Sequence, residues 1–318
     1  MAIITGNNDD DTLAGTDDGD TITGLGGNDI IDALSGDDEV NGGDGDDEIY
    51  GGNGDDLLGA EQDLATLVVI TPENGNDSIY GDDGDDTIRG GVGNDLIYGG
   101  NGDDTIGGEY GFGNEGTGND TIYGGNGNDL IDGNAGTDEV DGGNGADSVF
   151  GSAGNDTLYG GDGNDMVRGG GNNDKVYGGN GDDAVAGGSG NDEVHGGSGN
   201  DTLLGGTGSD TLTGGRGADI FDFDAAAESG GAITDTIADF KHGSDRIDLS
   251  TLDANTGVAN DQAFAWGGTT AGANSVWFEE SGGNTIVKAD INGDATSVEF
   301  QITLVGAGLG LAATDFIL

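Results

Sequence analysis

Twenty-two aspartates recur along this chain in one phase. Asp11, Asp20, Asp29, Asp38, Asp47 and Asp56 stand nine residues apart. After an interruption Asp77, Asp86, Asp95 and Asp104 resume the spacing. After a second interruption Asp120, Asp129, Asp138, Asp147, Asp156, Asp165, Asp174, Asp183, Asp192, Asp201, Asp210 and Asp219 carry it to the end of the array. Carboxylates repeated in this way are hard oxygen donors. If two nonapeptides make one turn of a flattened roll, an Asp lies beside the Asp eighteen residues on, about 4.8 Å away across a strand spacing. Each such pair, completed by loop carbonyls, is an all-oxygen cage for a hard cation that takes six to eight ligands. Without the cation, two carboxylates about 5 Å apart repel by roughly 3 kcal/mol at an effective dielectric of 20.

The residues between the aspartates say what positions them. From Gly142 to Asp222 the register is unbroken. Gly142-Gly143-Asn144-Gly145-Ala146-Asp147-Ser148-Val149-Phe150 opens it and Gly214-Gly215-Arg216-Gly217-Ala218-Asp219-Ile220-Phe221-Asp222 closes it. The pattern is G-G-x-G-x-D-x-U-x, with U apolar. Glycines at the first, second and fourth places allow positive φ, so the backbone turns tightly. The x-U-x triplet after the turn reads as a very short strand with one side chain inward. Every one of the aspartates has its apolar residue two places on, from Leu13 to Phe221. A nine-residue repeat of this kind predicts a parallel β-helix that binds calcium.

Composition agrees, conditionally. The chain of 318 residues has 73 glycines, 63 acidic residues against 7 basic ones and a net charge of -56. By composition alone it belongs with disordered chains. The periodicity overrides that reading and predicts a chain that is unfolded without metal and folded with it. The acidic balance argues against nucleic acid and against anionic membranes as partners. There are no cysteines, no stretch that reads as a transmembrane span and, at Met1 to Asp10, no basic-then-apolar pattern of a Sec-type signal peptide.

Two insertions interrupt the array, at 60–71 and 108–114, and read as loops bulging from the roll. The first two loops are degenerate, with Asp9 and Asp18 at the fourth place, as expected of a terminal cap. After the array, Ile233 to Phe240, Ser275 to Phe278, Thr285 to Ala289 and Val298 to Val305 read as strands between Gly, Asn and Asp turns. Asp290-Ile291-Asn292-Gly293-Asp294 opens like an EF-hand loop but has Ala295 and Gln301 where Gly and Glu are required. The expected architecture is all-β: a right-handed parallel β-roll over 1–223, then a C-terminal β-rich capping domain over 224–318.

The array resembles the repeats-in-toxin (RTX) family of calcium-binding β-rolls. The segment Gly217-Ala218-Asp219-Ile220-Phe221-Asp222-Phe223, with Ile237-Ala238-Asp239-Phe240 and Gly243-Ser244-Asp245-Arg246-Ile247-Asp248-Leu249-Ser250, is similar to the C-terminal domain of serralysin-type metalloproteases and to alginate-epimerase repeat modules. The resemblance implies that the sixth-place Asp of each nonapeptide, the series above, binds calcium. It implies export through a type I secretion transporter by an uncleaved C-terminal signal, and Asp315-Phe316-Ile317-Leu318 matches its acidic-then-apolar ending. The same four residues also read as a last strand of the cap. Serralysins hold zinc with H-E-x-x-H on a helix, whereas this chain has only His195, inside a repeat, and His242, in a polar turn. No Gly-x-Ser-x-Gly elbow is present either. No enzyme activity is expected.

The expected function is that of a secreted, calcium-dependent, non-enzymatic structural or adhesive protein, extracellular or at the cell surface. The alternative is a calcium-dependent polysaccharide-binding module, with Tyr50, Tyr80, Tyr98, Tyr123, Tyr159 and Tyr177 stacking on sugars. The opposite face, with Leu130, Phe150, Met166, Ala186, Leu204 and Ile220, is expected to be apolar and to seek cover. Ice binding fails on its Thr ranks, since Glu139, Lys175 and Glu193 interrupt Thr121, Thr157 and Thr211. The calcium count is about sixteen if the insertions break the stack and about twenty if the roll runs through them.

Overall fold

The computed structural model describes residues 1–59, 75–107, 118–225, 228–229, 234–252, 263–292 and 298–318. Both insertions, 60–71 and 108–114, lie outside the described residues. The chain forms two compact units that divide at Met166 and Val167, inside the repeat array.

In the first unit two parallel sheets are built from alternate repeats. One takes Ile3–Thr5, Thr21–Gly26, Glu39–Asp44, Leu57–Leu58, Thr87–Ile88, Thr105–Ile106, Leu130–Asp132 and Ser148–Ala153. The other takes Thr12–Thr16, Ile30–Leu34, Glu48–Asn53, Ser78–Asp83, Leu96–Asn101, Thr121–Asn126, Glu139–Asn144 and Thr157–Asp162. Within each sheet the register is the eighteen-residue turn: Ile4 lies beside Ile22, Ile22 beside Val40, and Ile122 beside Val140. The turn survives both insertions. Ile49 and Tyr50 pair with Ile79 and Tyr80, and Ile97 and Tyr98 pair with Ile122 and Tyr123. The roll is therefore continuous over the described part of this unit.

The typical strand is longer than the predicted triplet. Thr121–Asn126 runs through Gly124 and Gly125, and Ile122 and Gly124 are its two buried positions. The first-place glycine is thus an inward-facing strand residue, and the turn is made only from the second place onward. Gly143 and Gly145 have φ of 103° and 150°. Where glycine is missing, Asp82 (φ 75°) and Ser152 (φ 68°) carry the positive φ instead. The core is a single file of apolar residues per sheet, Ile31 to Leu158 in one and Ile22 to Val149 in the other, each no more than 2% exposed.

The second unit continues the design. Ala184–Ser189, Thr202–Thr207, Ile220–Asp222, Arg246–Asp248 and Phe316–Ile317 follow one another in parallel in one sheet. Lys175–Asn180, Glu193–Ser198, Thr211–Arg216, Asp235–Ile237 and Phe300–Leu304 do so in the other. The parallel ladder runs on past residue 223. Only then do Asn284–Ala289 and Ser275–Ser281 turn it antiparallel, with Ala265–Gly268 at the sheet edge. Phe223, Phe300 and Leu304 fill the interior here, with the Phe223 ring edge-on to Phe300 at 5.3 Å. The tail is the last strand of its sheet: Phe316 pairs with Ile247 and is 4% exposed.

Candidate metal centre

The sixth-place aspartates from Asp20 to Asp219 are all buried, at 7% exposure or less, although each carries a carboxylate. Asp11 is half-buried. What permits this is a ladder between turns. From Asp29 on, the Oδ1 of an Asp accepts the backbone N–H of the Asp one turn earlier: Asp11 to Asp29 (2.8 Å), Asp29 to Asp47 (2.8 Å), Asp120 to Asp138 (2.8 Å) and Asp138 to Asp156 (3.0 Å) on one edge. Asp38 to Asp56 (2.8 Å), Asp129 to Asp147 (2.8 Å) and Asp147 to Asp165 (2.9 Å) do the same on the other. The bonds bridge the insertions, from Asp47 to Asp77 and Asp56 to Asp86 (2.8 Å each) and from Asp95 to Asp120 (2.9 Å) and Asp104 to Asp129 (2.8 Å). In the second unit Asp174 bonds to Asp192 (2.9 Å), Asp183 to Asp201 (3.0 Å), Asp192 to Asp210 (2.8 Å) and Asp201 to Asp219 (3.2 Å).

One oxygen of each laddered carboxylate is thereby satisfied. At thirteen of the positions the other is not. The Oδ2 atoms of Asp29, Asp38, Asp56, Asp86, Asp95, Asp104, Asp129, Asp138, Asp147, Asp192, Asp201, Asp210 and Asp219 are buried without a hydrogen-bond partner. An ionised group left unsatisfied in this way costs more than the 1–3 kcal/mol of a neutral one, and the cost recurs along both edges. Where the first place is glycine the orphaned oxygen lies against it, and in repeats such as those of Gly81, Gly124 and Gly142 the carbonyl of the next turn's first-place glycine also arrives there. A Cβ built on Gly124 would stand 2.5 Å from both Asp129 Oδ2 and Gly142 O; one on Gly81 would stand 2.4 Å from both Asp86 Oδ2 and Gly99 O. Among the described residues no three acidic or histidine side chains converge on one point. The donor set is accordingly two carboxylates per step plus backbone carbonyls, all oxygen, which suits calcium rather than a transition metal.

The electrostatics follow from burial. Loss of solvent, and then the like charges of adjacent turns, push Asp56, Asp77, Asp104, Asp138 and Asp192 up to about 7. Asp47, Asp86, Asp120, Asp147 and Asp201 rise to about 6 for the same reason. Asp20, at the degenerate start, goes down instead, held by the Ala2 N–H and the Thr16 hydroxyl.

Sequence reasoning missed two features. The ladder continues beyond the nonapeptides: Asp210 N–H donates to Asp235 Oδ1 (2.9 Å) and Asp219 N–H to Asp245 Oδ1 (3.3 Å). Asp235 and Asp245 still begin D-x-I triplets, but they follow at 25 and 26 residues and so fall out of the nine-residue phase. A second ladder runs at the fifth place in the opposite sense. There Asn76 Oδ1 accepts the N–H of Asn94 (2.8 Å), Asn94 that of Asn119 (2.7 Å), and Asn191 that of Ser209 (2.9 Å). This ladder explains the frequent Asn or Asp beside each metal-site Asp.

The outer surfaces differ from expectation. Tyr50, Tyr80, Tyr98 and Tyr123 form one column, but their rings stack on one another at 4.9–5.2 Å with planes within 11°. Tyr177 stacks on His195 in the same manner at 4.8 Å. The ring faces are used internally and the edges look outward. The apolar face is broken up: Leu130 pairs with Ser148 and Phe150 with Asp132, because these residues belong to different columns. Neither histidine meets another. His195 faces Glu193 (3.0 Å) and His242 Nδ1 meets Asp315 Oδ2 (2.7 Å).

A continuous parallel roll with a buried row of half-satisfied aspartates on each edge defines the RTX class of calcium-binding β-roll. The description "RTX calcium-binding nonapeptide repeat (4 copies)" matches residues 5–40, 33–62 and 73–106. The chain belongs to the family described as "Peptidase M10 serralysin C terminal", which matches residues 113–318. Over 90 residues the chain is 41% identical to the mannuronan C5-epimerase AlgE3 of Azotobacter vinelandii, a match that covers 28% of this chain and 4% of that relative's length. The AlgE6R3 subunit of the Azotobacter vinelandii mannuronan C5-epimerase is 32% identical, with 46% of this chain and 78% of that one covered and a TM-score of 0.35. The extracellular lipase LipA of Serratia marcescens is 17% identical over 92% of this chain and 45% of its own, with a TM-score of 0.25. The chain is thus a calcium-binding β-roll. No helix among the described residues is long and apolar enough to cross a membrane.

Proposed function

We propose that the protein is a secreted, non-enzymatic structural or adhesive protein that folds on meeting calcium outside the cell. The sixth-place aspartates with open Oδ2 atoms serve as the ligands. The observation that carries this reading is the row of buried, unpartnered carboxylate oxygens, which a cation in the loops would satisfy while they are ionised. Low calcium inside the cell would leave the chain unfolded and threadable through a type I transporter. Extracellular calcium, at roughly the 10⁻⁴–10⁻³ M typical of such modules, would then drive folding. The secreted character common to this family supports the location.

A polysaccharide partner held by sugar stacking draws no support from the tyrosine column, whose ring faces are taken by neighbouring tyrosines. Far-ultraviolet circular dichroism of the full chain tests the reading. It should be coil-like in chelator and gain β-structure on adding calcium. A chelated sample that stays fully folded would refute it.

A further inference from the structure

The ladder aspartates divide into two kinds by what their Oδ2 atoms touch. At inner positions such as Asp29, Asp86, Asp129, Asp147 and Asp210 the Oδ2 is orphaned. At the ends it turns back onto its own loop: Asp11 Oδ2 accepts the N–H of Asn7 (2.7 Å), Asp20 Oδ2 that of Thr16 (2.7 Å) and Asp245 Oδ2 that of Lys241 (2.8 Å). Each acceptor lies four residues beyond its donor. In all three loops the second-place residue, Asn7, Thr16 or Lys241, lacks the positive φ that its counterparts Leu25, Leu34, Asp82 and Gly125 adopt in inner loops, and its backbone N–H reaches the carboxylate. A self-closed loop needs no metal to satisfy its Asp.

Asp235 and Asp245 are equivalent in the ladder, one on each edge, yet they fall on opposite sides of this division. Asp235 is fully buried, its Oδ1 takes the Asp210 N–H, and its Oδ2 has no hydrogen-bond partner. Its own N–H, which inside the array would go to the next turn's carboxylate, goes instead to the Ser229 hydroxyl (2.8 Å), which donates to Gln301 O (2.6 Å). The row on that edge therefore ends one step after Asp235, on a neutral group. On the other edge the loop Lys241-His242-Gly243-Ser244-Asp245 supplies its own donors. Lys241 Nζ donates to Gly215 O and Ser244 Oγ to Gly217 O (2.7 Å), so a tethered ammonium and a hydroxyl occupy the carbonyls of the last nonapeptide turn.

We propose that Asp235 is a further calcium ligand, outside the nonapeptides, and that Asp245 is a metal-free stop closed by its own loop and Lys241. The inference rests on the reading that the inner aspartates hold calcium. An anomalous difference map from crystals of the full chain grown in calcium separates the two. The expected map has peaks along the inner ladder, one within calcium–oxygen distance of Asp235 Oδ2, at about 2.3–2.6 Å, and none at Asp245 Oδ2. Peaks along the inner ladder but none at Asp235, or an equal peak at Asp245, would overturn this inference alone. A map with no calcium anywhere would overturn the parent reading too. In solution Asp235→Asn should lose about one bound calcium per chain by equilibrium dialysis, whereas Asp245→Asn should lose none. An unchanged count for a folded Asp235→Asn, or a lowered count for Asp245→Asn, contradicts the assignment. Should either variant fail to fold, the map of the unaltered chain decides.

Discussion

Replacing Asp147 by Asn should change stability in opposite directions with and without calcium. Asn keeps the oxygen that accepts the Asp129 N–H (2.8 Å). It exchanges the orphaned Oδ2 for an amide NH₂ in the corner where the Gly160 carbonyl also lies. In chelator the substitution removes a buried charge. Burial and the neighbouring carboxylates raise Asp147 from 3.8 to about 6, which at full strength is about 3 kcal/mol near neutral pH. Discounted for solvent screening at the loop edge, the gain is about 1–2 kcal/mol. In calcium the sign reverses. Asp147 stands between Asp129 and Asp165 in the ladder and serves up to two sites. A site held at 100 times its Kd contributes about 2.7 kcal/mol, so the variant should lose about 3–5 kcal/mol. At pH 7.5 (about three pH units above the usual carboxylate range), urea denaturation in millimolar calcium measures the loss, and the β-structure recovered in chelator as an excluded osmolyte is raised measures the gain. A variant that is destabilised, or stabilised, in both conditions would refute the link between the orphaned oxygens and the metal.

Four further outcomes follow. Carboxylates raised in the folded, metal-free chain mean that the native state binds more protons than the unfolded one between about pH 4 and 7, so metal-free stability falls as pH rises through that window. Circular dichroism in chelator should show most structure near pH 4 and least near pH 8; structure that grows with pH would contradict this. Gly145→Ala should cost about 2 kcal/mol or more, because φ is 150° and the new Cβ would fall 1.5 Å from the Gly127 carbonyl; an unchanged melting temperature in calcium would refute the close stacking of turns. Phe316→Ala should cost about 3–5 kcal/mol, since the ring is buried 4.9 Å from Trp266 at the end of its sheet. The tail is therefore part of the fold, and deleting Asp315 to Leu318 should reduce calcium-induced folding as well as export. A truncated chain that folds as well as the intact one would contradict this.

The phase of the aspartates and their apolar partners was legible because both obey one period, and that period sets turn length, core and ladder together. The same reliance on phase hid Asp235 and Asp245, whose turns contain 25 and 26 residues. Gly124 and its equivalents were read as turn residues because glycine signals a turn. Here the residue is small for another reason, the arrival of Asp129 Oδ2 and Gly142 O at its Cα. The outer apolar face was misjudged because Leu130 and Phe150 hold different places in their repeats and so enter different columns of the sheet. The tyrosine column was correctly placed, but only ring centroids 5.2 Å apart with planes 4° from parallel reveal that the faces are spent on each other.

The central claim is that calcium sits between turns eighteen residues apart, not within single repeats. Counting bound calcium in the folded full chain by native mass spectrometry tests it most directly. With the described ladder continuous through both insertions in the first unit, the count should approach about twenty ions per chain, lost together on chelation. One or two tightly held ions, with the β-structure intact, would contradict the account.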